Sequence, residues 1–70
     1  MNYKLKECRK KAGLTQEQVA IALNTHQYQI YKYESGKQDL TLTRAIELAD
    51  LYQVSLDELA GRHNPTQNTK

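Results

Sequence analysis

The stretch that most constrains the fold is Leu14 to Lys37, reading LTQEQVAIALNTHQYQIYKYESGK. It holds two short amphipathic helix patterns separated by a polar break, Asn24 to Gln27, with a glycine stop at Gly36. Thr15-Gln16-Glu17-Gln18 fits a capping box: the Thr15 hydroxyl takes the third amide of the helix and the Gln18 side chain reaches back to the Thr15 amide. The first pattern therefore starts at Gln16 and buries Val19, Ala20 and Leu23, with Ala20 small enough to admit a close neighbour. Asn24 takes the turn, since asparagine tolerates left-handed backbone better than any residue except glycine.

The second pattern runs from about Gln27 to Ser35. With Ile30 pointing inward and a step of about 100° per residue, Tyr33 and Glu34 fall on the inner side, and Tyr28 and Lys32 lie roughly 160° away. Gln29 and Tyr31 take the flanks and Gln27 the first turn. The outward face reads Gln, Tyr, Gln, Lys and carries no acid.

Around this pair the chain reads as three further helices. Asn2 to Ala12 places Leu5, Cys8 and Ala12 on one stripe, with Asn2 as a cap and Gly13 as a stop. Cys8 on that stripe is a small core hydrophobe rather than a ligand, because no second cysteine exists and His26 and His63 have no ligand-like spacing to it. After the polar loop 38–41, Leu42, Ala45, Ile46, Ala49 and Tyr52 mark a fourth helix capped by Thr41, its arc widened by Leu48 and Leu51. Ser55-Leu56-Asp57-Glu58 is a second capping box, opening a short fifth helix that stops at Gly61. Residues 1–61 thus form one all-α domain; 62–70 is a polar tail expected to be mobile, His63 in it being a solvated residue.

Composition narrows the function. Seventy residues leave no room for a separate catalytic domain, and no nucleophile, base and orienting acid stand together. A phosphate loop or metal cluster is likewise missing, so no enzyme, cofactor or small-molecule substrate is expected. The single cysteine makes no internal disulfide, and no apolar run approaches a membrane span, so a cytoplasmic protein is the default. Residues 1–37 carry seven Lys/Arg against three acids, whereas 38–70 carry three against five. The basic half holds the paired helices, and a basic face beside a helix-turn-helix points to phosphate contact.

Five short helices, LTQEQVA opening the second, Ile30 and Tyr33-Glu34-x-Gly36-Lys37 ending the third, and Val54-Ser55-Leu56-Asp57-Glu58-Leu59 opening the fifth resemble the Cro/phage-repressor type (XRE family) of helix-turn-helix domain. The resemblance covers roughly residues 3–60. It implies a compact five-helix repressor-like fold and a sequence-specific regulator, a repressor, that inserts the third helix into a major groove of double-stranded DNA as a homodimer. It implies DNA phosphate contacts from Gln16 and Lys37, which Thr15 and Tyr31 join, and base reading by Gln27, Tyr28, Gln29 and Lys32. Glutamine can pair with adenine through two hydrogen bonds, and a tyrosine can touch a thymine methyl or reach phosphate with its hydroxyl. Arg9 and Glu34 match an arginine and a glutamate that pair internally in several members of the family.

Five positions depart from the family pattern, among them Tyr28, which is bulky for its place. Asn24 stands for the usual turn glycine, Thr25 for a small aliphatic residue and Leu40 for a frequent proline. His26 stands where a Ser or Thr commonly caps the third helix, so that cap is either weaker or supplied by Thr25. A second class stays open from sequence, a protein-contact module such as an antitoxin or bridging factor, working through the apolar arc of the fourth helix and the short fifth helix.

Overall fold

Hydroxyl caps and left-handed stops set the helix boundaries. A computed structural model describes residues 4–61, which form α1 (Leu5–Lys11), α2 (Gln16–Ala22), α3 (Gln27–Ser35), α4 (Leu42–Tyr52) and α5 (Leu56–Ala60). Among the described residues every regular element is a helix. Both capping boxes are complete: Thr15 and Gln18 satisfy each other's amides at the start of α2, and Ser55 and Glu58 do so at the start of α5. The Thr41 hydroxyl accepts from the Arg44 amide and caps α4. The Asn2 cap expected for α1, like the tail 62–70, lies outside the described residues; α1 begins at Leu5 after Lys4, which makes no side-chain cap.

Asn24 does take the left-handed turn, at φ 56°. Its amide donates to the Ile21 carbonyl and the Thr25 amide to that of Ala20, which together close the end of α2. Gln53 at φ 58° ends α4 in the same way, donating to Asp50 while Val54 donates to Ala49. Gly36, at φ 81°, ends α3.

Each helix contributes one of the largest fully buried side chains: Leu5, Val19, Ile30, Leu48 and Leu59. Cys8, Ala20, Tyr33, Ala49 and Tyr52 complete the core, and Leu14, the residue before the α2 cap, packs onto it with Leu23, Leu40, Ala45, Leu51 and Val54. α2 lies chiefly against α3, α4 against α5, and α1 touches α3, α4 and α5. The Lys4 amide donates to the Leu59 carbonyl at 2.9 Å, fixing the start of α1 to α5.

The expected stripes are wrong in two places. Ala12 is exposed, because α1 ends at Lys11 and Ala12 is its C-cap, past the part of the helix that lies over the core. On α4, Leu42 and Ile46 are 69% and 44% exposed. The buried arc is centred instead on Leu48, Ala49 and Tyr52, on a helix that packs against α5 and α1. No helix among the described residues is long and apolar enough to cross a membrane.

Candidate nucleic-acid interface

The start of α2, the exposed face of α3 and the residues just after Gly36 form one continuous side of the domain, linked by side-chain hydrogen bonds. The base of this linkage is buried. Arg9 Nε donates to Glu34 Oε2 at 2.7 Å and Arg9 Nη2 to Glu34 Oε1 at 3.3 Å, while Nη1 donates to the Leu14 carbonyl at 2.9 Å. One guanidinium thus holds α1, the loop before α2 and the last turn of α3, with both charges nearly out of solvent. A two-point Arg–carboxylate fork fixes orientation as well as charge.

Glu34 Oε1 also accepts from Gln16 Nε2 at 2.9 Å. Gln16 Oε1 then faces outward and accepts from Gln27 Nε2 at 3.4 Å. The first residues of α2 and α3 are therefore held side by side, and their amide orientation is set from the buried ion pair upward. Glu34, the only acid on α3, is turned inward and neutralised, so the exposed face of α3 carries no carboxylate.

On that face Tyr28 and Tyr31 are 64% and 41% exposed and stack with ring centroids 5.9 Å apart and planes 20° apart. Lys32 Nζ lies 5.2 Å from the Tyr28 centroid, within reach of a cation–π attraction. Gln29 is half-buried, and its Nε2 donates to Gln38 Oε1 at 2.9 Å, tying the flank of α3 to the following loop. Lys37 is exposed directly after the helix end. Neither Lys32 nor Lys37 forms an ion pair with another described residue. Thr15 is exposed, its oxygen engaged by the Gln18 amide in the cap. At the start of α3 the His26 side chain makes no cap hydrogen bond, and the Thr25 amide is used to close α2.

The structure thus joins Gln16, Gln27, Glu34 and Arg9 in one network and Tyr28, Tyr31 and Lys32 in another. Two braces beside these networks escape a reading of the sequence. Arg44 of α4 donates through Nη1 to the Leu23 carbonyl at 3.1 Å, capping the end of α2, and to Glu47 at 2.9 Å. The hydrogen bond that Arg44 donates to Glu47 holds the Arg44 pKa above its ordinary value. Gln38 is the other brace, and no spacing signal marks either, since each acts across a turn or between helices. Elsewhere, burial, then the charge of Glu58, push the Cys8 thiol up, so the thiolate is disfavoured and Cys8 serves packing. Two surface clefts, one between the end of α2 and α4 and one between α1 and α5, are lined by no residue of α3.

A family profile described as "Helix-turn-helix" matches residues 5–59. The chain is 39% identical over 59 residues to the HTH-type transcriptional regulator ImmR of Bacillus subtilis, an alignment spanning 84% of this chain and 46% of that protein. It is 35% identical over 60 residues to the cryptic phage CTXphi transcriptional repressor RstR of Vibrio cholerae, spanning 86% of this chain and 54% of that protein. Among solved structures, a transcriptional regulator from Listeria innocua superposes with a TM-score of 0.72 at 28% identity, over 91% of this chain and 64% of that one. The chain spans about half the length of the curated relatives it matches.

Proposed function

The chain belongs to the helix-turn-helix family, of the Cro/phage-repressor type, and from that premise we propose that it is a sequence-specific double-stranded DNA-binding unit of a transcriptional regulator acting as a repressor. What carries this reading is the face of α3: exposed Gln27, Tyr28 and Tyr31 beside a half-buried Lys32, with the one acid of the helix folded away onto Arg9. α3 enters a major groove, and the DNA backbone is gripped on both sides. Gln16, Thr15 and the first amides of α2 meet phosphate on one side; Lys37, after the end of α3, meets it on the other. The Tyr31 hydroxyl reaches the backbone from the flank.

Gln27 and Tyr28 read base edges, with Lys32 and Gln29 beside them. Because one N–H of Gln27 is engaged with Gln16, its carbonyl and remaining N–H form the donor–acceptor pair that suits adenine. Gln29 presents its carbonyl, its amide being shared with Gln38. No bond of the DNA is made or broken, and a homodimer on two half-sites about one helical turn, roughly 34 Å, apart supplies the affinity a single unit lacks.

The test is selection of duplexes from a random pool by the 70-residue chain and its variants, at two salt concentrations. Gln27→Ala is expected to relax preference at one base pair, costing about 1–3 kcal/mol there, while Lys37→Ala weakens all sequences alike and lowers the salt slope by about one. Unchanged preferences in Gln27→Ala and Tyr28→Ala, or binding indifferent to salt, would overturn the assignment.

A further inference from the structure

Tyr28 and Tyr31 take no part in the core, yet they are stacked on each other with the Lys32 ammonium at the Tyr28 ring. Aromatic side chains left 64% and 41% exposed in a chain this small leave apolar ring surface open for an apolar contact. They flank Gln27 on a face that is free of carboxylates and followed by Lys37, so a polyanion is the partner whose charge suits their surroundings. The apolar group that a DNA major groove offers is the C5-methyl of thymine. Cytosine carries none unless it is methylated at the same carbon.

We propose that the Tyr28–Tyr31 pair is a preformed reader of pyrimidine C5-methyl groups, taking two neighbouring methyls of one half-site. The two ring centroids lie 5.9 Å apart, between one and two base-pair rises of about 3.4 Å, so the two rings can address neighbouring steps. Stacking by Tyr31 and the pull of Lys32 hold the Tyr28 ring in place before DNA arrives, which lowers the ordering cost of the contact. The ring, not the hydroxyl, does the reading, leaving the Tyr31 hydroxyl for the backbone. It follows that 5-methylcytosine is recognised in place of thymine at these steps, and that methylation of a cytosine there strengthens binding. The inference rests on α3 entering the major groove.

The probes are duplexes enriched from a random pool by the 70-residue chain, resynthesised with single thymines replaced by deoxyuridine and with cytosine or 5-methylcytosine at the same positions. Deoxyuridine is expected to weaken binding about fourfold at one or two adjacent positions, the loss that goes with one buried methyl, and 5-methylcytosine to bind about fourfold tighter than cytosine there. Tyr28→Phe keeps both effects. Tyr28→Ala and Tyr31→Ala each diminish them and the double variant abolishes them, with the helix content of every variant checked by circular dichroism. Enriched sites at which thymine and deoxyuridine bind alike would overturn the methyl assignment alone. Discrimination that survives in the double alanine variant would do the same. Failure to enrich any duplex would overturn the major-groove reading and the methyl assignment together.

Discussion

The starts of α2 and α3 lie side by side, joined by Gln16 and Gln27, yet they are finished in opposite ways. α2 opens with a complete capping box behind a packed Leu14. α3 opens on His26, whose side chain caps nothing. A helix begins with amides that have no partner in the helix, and a cap is the usual way to satisfy them. α3 is held instead from its far end, by Ile30 and Tyr33 in the core and by Glu34 in the fork of Arg9. The end of α3 nearest Gln27 thus owes its position to packing and to a buried charge pair, which leaves its first amides without a side-chain cap.

If that division is right, the largest effect belongs to the charge pair. Arg9→Ala should lose about 3–5 kcal/mol in urea unfolding followed by circular dichroism, because a buried carboxylate is left without its partner. A loss below about 1 kcal/mol would show that α3 is held by its apolar contacts alone.

Alkaline pH tests the apolar side of the same comparison. Burial, then the charge of Glu34, push the Tyr52 hydroxyl well above its ordinary pKa. Below about pH 10 the phenol is neutral in both folded and unfolded chains, and its contribution to stability is complete. As pH rises past about 10 the unfolded chain ionises first, and stability falls by about 1.4 kcal/mol per pH unit until the folded phenol ionises too. The loss between pH 8 and pH 11 should therefore be smaller in Tyr52→Phe than in the parent chain, as read from urea midpoints. Equal losses would show that Tyr52 is solvated in the native state.

The smallest effects address the caps themselves. Ser55→Ala should cost about 1 kcal/mol, whereas His26→Asp should gain about as much by supplying the missing acceptor and a favourable charge at the start of α3. The same His26→Asp change should weaken DNA binding, since it sets a carboxylate beside phosphates. A variant that becomes more stable and binds DNA as well as before would break the link between the bare helix start and the proposed interface.

How much of this was legible in the sequence depends on how far each feature reaches. The bounds of α3, both capping boxes, the Thr41 cap and the left-handed Asn24 are set by residues within a few positions of one another, and the sequence predicts them. The buried arc of α4 is not set that way. Leu42, Ala45, Ile46, Leu48, Ala49, Leu51 and Tyr52 cover most of its circumference, so periodicity could not choose which would face α1 and α5, and Leu42 and Ile46 end up in solvent. Gln53 gave no turn signal, since glutamine has no preference for left-handed backbone. The candidate interface divides along the same line. That Tyr28 faces outward and Ile30, Tyr33 and Glu34 inward followed from angle alone. Lys32, opposite the core by angle, is half-buried with its ammonium at the Tyr28 ring, and the hydrogen bonds Gln16–Glu34, Gln29–Gln38 and Arg44–Leu23 exist only once separate segments have docked.

The chain contains no tryptophan and no phenylalanine, so its near-ultraviolet emission comes from tyrosine alone. Of its five tyrosines, Tyr3 lies outside the described residues, Tyr33 and Tyr52 are sealed in the core, and Tyr28 and Tyr31 stand on the outer face of α3. The four described tyrosines thus form two sets of intrinsic optical reporters, one that responds when the core opens and one that responds when something settles against the outer face of α3, with no label attached.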